Sequence, residues 1–178
     1  MATRQLMMRF PVERLEALSE PVFAPDFVLR SFREGDEEAY LALMRAAGFN
    51  WADDMVQTVL GKAMPGGILF ACDAKNGRLA ATAMANKFRP ETPDDYELGW
   101  VAAHPDYRGK RLGMKICAAV LIFYRQAGVR RVALHTDDFR KPALVTYLRL
   151  GWQPVIDDEE MATRWQAVRS ELGMPATP

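Results

Sequence analysis

The sequence predicts an α/β (α+β) domain in which a mixed central sheet of about six to seven strands is flanked by helices. Along the chain, short segments with the alternation typical of strands are interleaved with longer segments that carry an apolar stripe at helical spacing. Near the middle, a strand-like segment from Tyr96 is followed by a turn, a long apolar helix and a further strand. Because a strand–helix–strand crossover joins parallel neighbours, this order predicts a βαβ unit at the centre of the sheet.

Composition and charge indicate an ordinary globular protein. The chain has 178 residues, of which 49% are hydrophobic and 26% charged. Lysine plus arginine equals aspartate plus glutamate, at 23 each, so the positive charge expected of a nucleic-acid-binding protein is absent. No apolar run is long enough for a bilayer, and the first residues lack the layout of a signal peptide. We expect a cytoplasmic protein without membrane, nucleic-acid or metal partners, with Cys72 and Cys117 as buried free thiols.

We divide the chain into an N-terminal arm, residues 1–27, and a single domain with a helical C-terminal extension, residues 28–178. The arm contains a short amphipathic helix, Val12–Leu18, and prolines that favour an extended path. The next apolar patterns predict one strand and two helices, which are Val28–Phe32, Asp36–Ala47 and Asp53–Met64.

A hairpin and a second series of elements follow. Asn76-Gly77 is the strongest short hairpin signal, and it joins the strands Ile68–Cys72 and Arg78–Lys87. A polar loop, Arg89–Asp95, leads into the central strand. After the central helix, the pattern predicts a strand, a helix, a short strand and a C-terminal helix, which are Val129–Thr136, Lys141–Leu150, Trp152–Ile156 and Glu159–Leu172.

The turn after the central strand has the composition of an anion site. His104-Pro105-Asp106 breaks the strand, because proline cannot donate to the ladder. Glycines and cations then lead into the helix in the order Arg108, Gly109, Lys110, Arg111, Leu112, Gly113. The unpaired N–H groups of a helix start, its positive dipole end and nearby cations favour a phosphate, and glycine lets the backbone approach it closely.

This turn resembles motif A of the GNAT (Gcn5-related N-acetyltransferase) superfamily, R/Q-x-x-G-x-G/A, with Arg108 in the first position and Gly113 in the last. The fourth position holds Arg111 instead of glycine. A second block downstream resembles the family's N-x-x-A-x-x-x-Y-x-x-x-G-F segment, with Trp152 for its phenylalanine and Arg140 where asparagine is usual. Two motifs in the right order and structural context make the match specific.

The resemblance covers roughly Val28 to Ile156 and implies the GNAT fold, in which the strand containing Val101 and the strand ending at Thr136 splay apart around acetyl-CoA. The family usually adds a seventh strand at the C-terminus, where this sequence predicts a helix instead. That strand is therefore missing, supplied by the N-terminal arm or supplied by a partner subunit. Homodimers are common in the family, so a homodimer is possible here.

By the same resemblance, the cofactor is acetyl-CoA. Backbone amides from Arg108 through Gly113 would hold its diphosphate, while Val101 and Ala103 would pair with the pantetheine arm like an added strand. A backbone N–H near Val101 or Ala102 would stabilise the oxyanion. The implied cofactor-binding residues are Val101, Ala102, Ala103, Arg108, Gly109, Lys110, Arg111, Leu112, Gly113, Met114 and Arg140.

Acyl transfer to an amine needs a neutral amine, a polarised thioester carbonyl and a proton for the departing thiolate. Glu97 matches the family's general base, and Tyr147 matches the tyrosine that protonates the CoA sulfur. The alternatives are a water chain in place of the base, a glutamate that is only ion-paired or exposed, and a tyrosine that only fills the core. We expect a structural role for His104, while His135 either lines the cleft or is a hydrogen-bonded strand residue.

The acceptor is the least determined part of the prediction. In this fold it would meet aromatic and acidic residues, which are Phe49, Trp51, Asp53, Asp54, Glu91, Asp94, Asp95 and Asp157–Glu160. These residues suit a cationic amine, or they are ordinary solvated loop charges. We predict acetyl transfer to a primary amine of a small molecule by direct attack. The alternatives are acetylation of a protein N-terminus or lysine, and a CoA-binding regulatory module without turnover.

Overall fold

The computed structural model describes residues 4–87 and 96–175. Its strands are β1 (Leu6–Phe10), β2 (Phe27–Ser31), β3 (Ala63–Asp73), β4 (Leu79–Asn86), β5 (Tyr96–Ala103), β6 (Val132–Thr136) and β7 (Gln153–Pro154). Its helices are α1 (Val12–Ala17), α2 (Glu37–Ala46), α3 (Met55–Lys62), α4 (Leu112–Gln126), α5 (Lys141–Leu150) and α6 (Glu159–Glu171). The strands form one seven-stranded sheet in the order β2-β3-β4-β5-β6-β1-β7. Only β5 and β6 pair in parallel within this described sheet, so the predicted mixed sheet is confirmed.

Helices cover both faces of the sheet and divide the core into two clusters. The first cluster lies under α4, α5 and α6 and includes the buried side chains of Ile116, Tyr124 and Trp165. The second lies under α2 and α3 and includes Tyr40 and Phe70. Each helix therefore buries the apolar stripe that its sequence shows. None of the helices within the described ranges is long and apolar enough to cross a membrane.

The boundary between α3 and β3 differs from the prediction. The helix predicted to reach Met64 ends at Lys62, and β3 begins directly at Ala63. The sequence predicts that the segment 65–67, a proline followed by two glycines, separates the helix from the strand. It lies instead in an irregular part of β3, at a point where the pairing with β4 shifts. The predicted loop Arg89–Asp95 falls on residues outside the described ranges.

Two further strands start later than predicted, because the residues at their predicted starts donate hydrogen bonds that close the preceding helices. β6 begins at Val132 and not at Val129, since the Val129 N–H donates to the Tyr124 carbonyl oxygen (2.9 Å) and closes α4. β7 retains only Gln153–Pro154 of the last predicted strand, since the N–H of Trp152 closes α5 in the same way.

The seventh strand comes from the N-terminal segment. β1 lies between β6 and β7 and pairs antiparallel with both, so of the alternatives left open by the sequence this one is confirmed. Leu6, Met8 and Phe10 are buried against the α4–α6 cluster, while Met7 and Arg9 alternate to the other face of the sheet. Burial of each such apolar side chain contributes about 1.5–3 kcal/mol. The strand Leu6–Phe10 is thus part of the core.

Ion pairs fix the start of β1 to the C-terminal part of the chain. The Arg4 guanidinium pairs with Asp157 and Asp158, and the Arg4 carbonyl oxygen accepts from Nη1 of Arg164 (2.7 Å). Arg164 also pairs with Asp138, and its hydrogen bonds hold the pKa of that carboxyl below the ordinary value. Exposed pairs of this kind contribute about 0–1 kcal/mol each, so their main effect is to fix where β1 begins.

Met8→Ala tests the role of β1, with Met7→Ala as the matched control on the other face of the same strand. Met8 is fully buried and Met7 is half-buried, so we expect Met8→Ala to lower the free energy of unfolding by about 2–5 kcal/mol and Met7→Ala to lower it clearly less. Urea denaturation followed by circular dichroism measures both. Equal losses in the two variants would contradict the proposed burial of this strand.

Candidate active site

A gap opens between the parallel strands β5 and β6. The two strands pair only at Tyr96 with Val132 and at Glu97 with Ala133, although β5 continues to Ala103. Beyond Glu97 the facing edges of both strands are therefore left without each other's hydrogen bonds, which is a cost unless another group takes them. The predicted splay of these strands is confirmed. An extended ligand can pair with the free edge of β5 as an added strand would.

A β-bulge distorts β5 within this gap. Trp100 and Val101 on β5 oppose the single residue Ala83 on β4. Trp100 has a φ angle of 50°, in the left-handed region that a bulky residue adopts at a cost of about 1–2 kcal/mol. Its ring makes edge contacts with Trp51 (5.0 Å between centroids) and Phe49 (6.0 Å) in the α2–α3 connection. These aromatic contacts hold the bulge in place.

The turn before α4 offers an uncapped helix start. Arg111 precedes α4 with a φ angle of 56°, and its side chain makes no capping hydrogen bond. The first N–H groups of α4 have no partner inside the helix. A Cβ atom at Gly113 would meet no atom of the protein within 4 Å, so packing does not require glycine there. Lys110 is an exposed cation whose Nζ lies 3.9 Å from Oδ2 of Asp26. The open helix start and its neighbouring cations fit a diphosphate.

Glu97 and His135 form a partly buried pair at the narrow end of the gap. Glu97 is 9% exposed, and its Oε1 lies 3.1 Å from Nδ1 of His135. The strand register explains the contact, because Glu97 is opposite Ala133 and His135 lies two residues further on the same face. The sequence indicated both side chains separately but missed their pairing, since nothing in it fixes the register of two strands 38 residues apart.

A buried amide lies beside this pair. Asn86 of β4 is opposite Glu97 and 8% exposed, and its Oδ1 has no hydrogen-bond partner among the described residues. Its Nδ2 would lie 2.5 Å from a Cβ atom at Gly99, so the glycine is needed for this close approach. A buried acceptor without a partner is costly, and it is normally satisfied by water or a ligand. Asn86 was not among the predicted site residues.

Tyr147 is buried on α5, in the core cluster that lies under α4, α5 and α6. Its ring packs edge-on against Trp152 at 6.3 Å between centroids, and the described residues provide no hydrogen bond to its hydroxyl. Burial, with a contribution from nearby Cys117, raises the pKa of Tyr147 above its ordinary value. Burial also raises the pKa of Cys117 to about 12. Cys117 and Cys72 are both buried free thiols, as predicted.

The Arg140 side chain crosses from α5 toward the α2–α3 connection. Its guanidinium carbon lies 4.8 Å from the centroid of the Phe49 ring and 5.4 Å from that of Phe139. Its Nε donates to Oδ2 of Asp137 at 3.1 Å. The guanidinium therefore contacts a residue predicted for the acceptor region, although Arg140 itself was predicted to bind the cofactor.

The described acidic residues of the predicted acceptor region are largely engaged elsewhere. Asp53 pairs with Arg45, and Glu160 pairs with Arg164. Asp157 and Asp158 pair with Arg4, as described above. These contacts favour the alternative in which the acidic residues are surface charges and do not attract a cationic acceptor. Glu91, Asp94 and Asp95 fall outside the described ranges.

His104 has the structural role that the sequence predicted. Its Nδ1 accepts a hydrogen bond from the Asp106 N–H (3.2 Å) and so caps the short 3₁₀ turn Pro105–Tyr107. Its Nε2 lies 2.9 Å from Nη2 of Arg78. Both ring nitrogens are thus occupied in holding the turn that leads to α4.

A sheet that opens between two parallel strands, a bulge inside the opening and an uncapped helix start beside it agree with the fold class that the two sequence motifs implied. The family model described as the acetyltransferase (GNAT) family matches residues 28–152 of the chain. The chain belongs to this family.

Individual relatives agree with this assignment. A mycothiol acetyltransferase from Rhodococcus jostii is 27% identical over 164 residues, which are 85% of this chain and 53% of that protein. A GCN5-related N-acetyltransferase from Sphaerobacter thermophilus superimposes with a TM-score of 0.67 at 20% identity, over 86% of this chain and 50% of the other. The ribosomal-protein-S18-alanine N-acetyltransferase of Escherichia coli superimposes with a TM-score of 0.60 at 20% identity, over 73% of this chain and 79% of the other. The chain thus spans about half the length of the curated mycothiol acetyltransferases that it matches.

Proposed function

We propose that the chain is an acetyl-CoA-dependent N-acetyltransferase that transfers the acetyl group to a primary amine of a small molecule by direct attack in a ternary complex. The contact between Glu97 and His135 at the narrow end of the strand gap is the observation that carries this proposal. It provides a carboxylate, largely shielded from water, beside the edge of β5 on which the acetyl donor would lie. The family membership supports the same reaction.

Two segments would bind acetyl-CoA, which supplies the activated thioester when bound. The first N–H groups of α4, with the exposed cations Arg108, Lys110 and Arg111, would hold the diphosphate. Val101, Ala102 and Ala103 would pair with the pantetheine arm, and a backbone N–H at the bulge would stabilise the oxyanion. Small side chains at positions 102 and 103 leave room for this approach.

Glu97 would act as the general base. His135 would donate from Nδ1 to the carboxylate and so fix its orientation, while Oδ1 of Asn86, which lacks a partner, would accept a hydrogen bond from the acceptor amine. Glu97 would take one proton from the ammonium form of the acceptor, directly or through a water molecule, and the nitrogen lone pair would attack the thioester carbonyl. The bond between the acetyl carbon and the sulfur would then break, and the excess proton on the nitrogen would pass to the departing thiolate. Such proton transfer contributes about 100- to 10,000-fold in rate.

Tyr147 would stabilise the departing sulfur. Because burial raises its pKa, the hydroxyl stays protonated at neutral pH and can donate a hydrogen bond to the thiolate as charge develops. A covalent acetyl-enzyme on cysteine is disfavoured, since both thiols of the sequence are buried and the pKa of Cys117 is about 12. This supports direct attack by the amine.

Glu97→Gln tests the general base. We expect kcat/KM for the amine to fall about 100- to 10,000-fold, because the amide cannot accept a proton, while the calorimetric affinity for acetyl-CoA stays unchanged. Activity is followed by release of free thiol across a panel of amines and peptides. Turnover only on peptides would redirect the proposal to a protein acceptor, and acetyl-CoA binding without release on any acceptor would indicate a binding module.

Two further variants in the same assay test whether His135 positions the carboxylate of Glu97. His135→Asn keeps a side-chain donor near Glu97, and His135→Ala removes it. If His135 positions the carboxylate, the Asn variant retains more activity than the Ala variant and the pH profile shifts only in the latter. Equal loss in both would contradict a positioning role through Nδ1.

Tyr147→Phe removes the hydroxyl and keeps the packing against Trp152. We expect kcat to fall about 10- to 100-fold, since one hydrogen bond to a developing charge is lost, with little change in thermal stability. Because the pKa of Tyr147 is raised, its ionisation should produce no alkaline fall in the wild-type rate below about pH 10. A wild-type rate that falls below that pH and no longer does so in Tyr147→Phe would contradict the raised pKa, and a kcat that is unchanged in Tyr147→Phe would contradict the role of its hydroxyl.

Gly113→Glu tests the diphosphate site, with Gly61→Glu in α3 as the matched control. Both glycines are helical and have open space at the Cβ position, so each variant should be at least as stable as the wild type. Only Gly113→Glu should weaken acetyl-CoA binding, by about tenfold or more, because its carboxylate would repel the diphosphate. Calorimetry that finds equal affinities for both variants would place the diphosphate elsewhere.

A further inference from the structure

Arg140 links the two sides of the cleft at its open end. The residue directly precedes α5 as its N-cap, and its guanidinium lies over the ring of Phe49 in the α2–α3 connection. Phe49 in turn contacts Trp100, the residue at the bulge of β5. An acceptor that approaches the bulge from the side of α2 and α3 would therefore meet the guanidinium.

The terminal edge of this guanidinium is free to bind a ligand. Nε donates to Asp137, and the structure gives no hydrogen bond from Nη1 or Nη2 to any described residue. The two terminal N–H groups of arginine form a fork that matches both oxygens of a carboxylate. The neighbouring rings of Phe49 and Phe139 contact the guanidinium by cation–π interactions, which restrict its motion without using these donors.

A relay of hydrogen bonds holds Arg140 in this position. Asp137 accepts from Nε of Arg140 through Oδ2 and from Nε2 of Gln5 through Oδ1, each at 3.1 Å. Gln5 directly precedes β1, so the N-terminal segment that completes the sheet also orients the carboxylate that holds Arg140. A fixed guanidinium loses less entropy when it binds a ligand than a mobile one would.

We infer that the acceptor is an amine that also carries a carboxylate, as an amino acid does, and that the terminal fork of Arg140 binds this carboxylate. The inference rests on the proposed function. It replaces the predicted preference for a cationic amine, because Asp53, Asp157 and Asp158 are ion-paired with arginines. It also moves Arg140 from the cofactor to the acceptor as a specificity-determining residue.

The test compares acids with their amides as acceptors for wild type, Arg140→Met, Arg140→Lys and the control Arg149→Met, an exposed arginine on the same helix. The pairs are phenylalanine and phenylalaninamide, β-alanine and β-alaninamide, and 4-aminobutyrate and 4-aminobutanamide, which vary the spacing between amine and carboxylate. We expect the wild type to prefer the acid of at least one pair by about 10- to 100-fold in kcat/KM. Arg140→Met should lose this preference through a fall in kcat/KM for the acid, Arg140→Lys, which lacks the fork, should be intermediate, and Arg149→Met should keep the wild-type preference.

Several results would overturn the inference. Amides or plain amines that are used as well as the acids exclude a carboxylate requirement, and a preference that survives in Arg140→Met excludes Arg140 as its source. Weaker acetyl-CoA binding in Arg140→Met, with the acceptor preference unchanged, would return the residue to the cofactor. The amine of an amino-acid amide is the weaker base, so a preference for acids cannot arise from a larger fraction of neutral amine.

A binding measurement distinguishes failure of this inference from failure of the proposed function. Two of the four tryptophans, Trp51 and Trp100, lie at the bulge of β5, so fluorescence can follow titration with the N-acetylated products of each pair in the presence of CoA. If no amine is turned over, the proposed function fails. Tighter binding of the acid products to wild type than to Arg140→Met would then still support the carboxylate site, and equal binding would exclude it.

Discussion

The separation of β5 from β6 after only two paired positions is the constraint on which the site depends. A parallel pair that continued in register would bury its hydrogen bonds and leave no edge for a ligand. Here the pairing ends at Glu97 and Ala133, and the bulge at Trp100 keeps β5 turned away from β6. The aromatic contacts of Trp100 with Phe49 and Trp51 in the α2–α3 connection stabilise this strained backbone. The second core cluster thus serves the geometry of the cleft as well as stability.

The N-terminal strand has a comparable double role. β1 fills the position between β6 and β7 and so covers the edge of β6 that faces away from β5. Without it, β6 would have neighbours only at its first two residues, Val132 and Ala133. The position of His135 relative to Glu97 therefore depends on a strand that lies outside the family-matched residues 28–152.

Much of the fold could be predicted from local patterns. The bounds of α5 agree fully, because Pro142 marks its first turn and Gly151 ends it with a φ angle of 106°. For β1 the sequence signal is incomplete, since Leu6, Met8 and Phe10 alternate with polar Arg9 but also with apolar Met7. That signal is weak over five residues, and a strand with no sequence neighbour to pair with gives no indication of its position in a sheet.

The sequence suggests some residues of the candidate site but not their arrangement. Glu97 and Tyr147 follow from motif positions in the sequence. The pairing of Glu97 with His135 and of Arg140 with Phe49 depends on strand register and on how α2 packs, and both are set by contacts distant in sequence. The role of Asn86 depends on the close approach of its amide to Gly99, which only the folded backbone creates.

The two ends of the cleft have different chemistry, so the length of the acceptor decides whether its amine can contact Glu97 directly. Glu97 lies where the strands begin to separate, and Arg140 lies beyond the end of β6 at Thr136. From Ala133 to Thr136 a strand advances about 10 Å. An amine that reaches the thioester near the bulge while its carboxylate binds Arg140 therefore stays some distance from Glu97 if it is a short amino acid. For such an acceptor the proton would pass through a water molecule, whereas a longer acceptor could contact Glu97 directly.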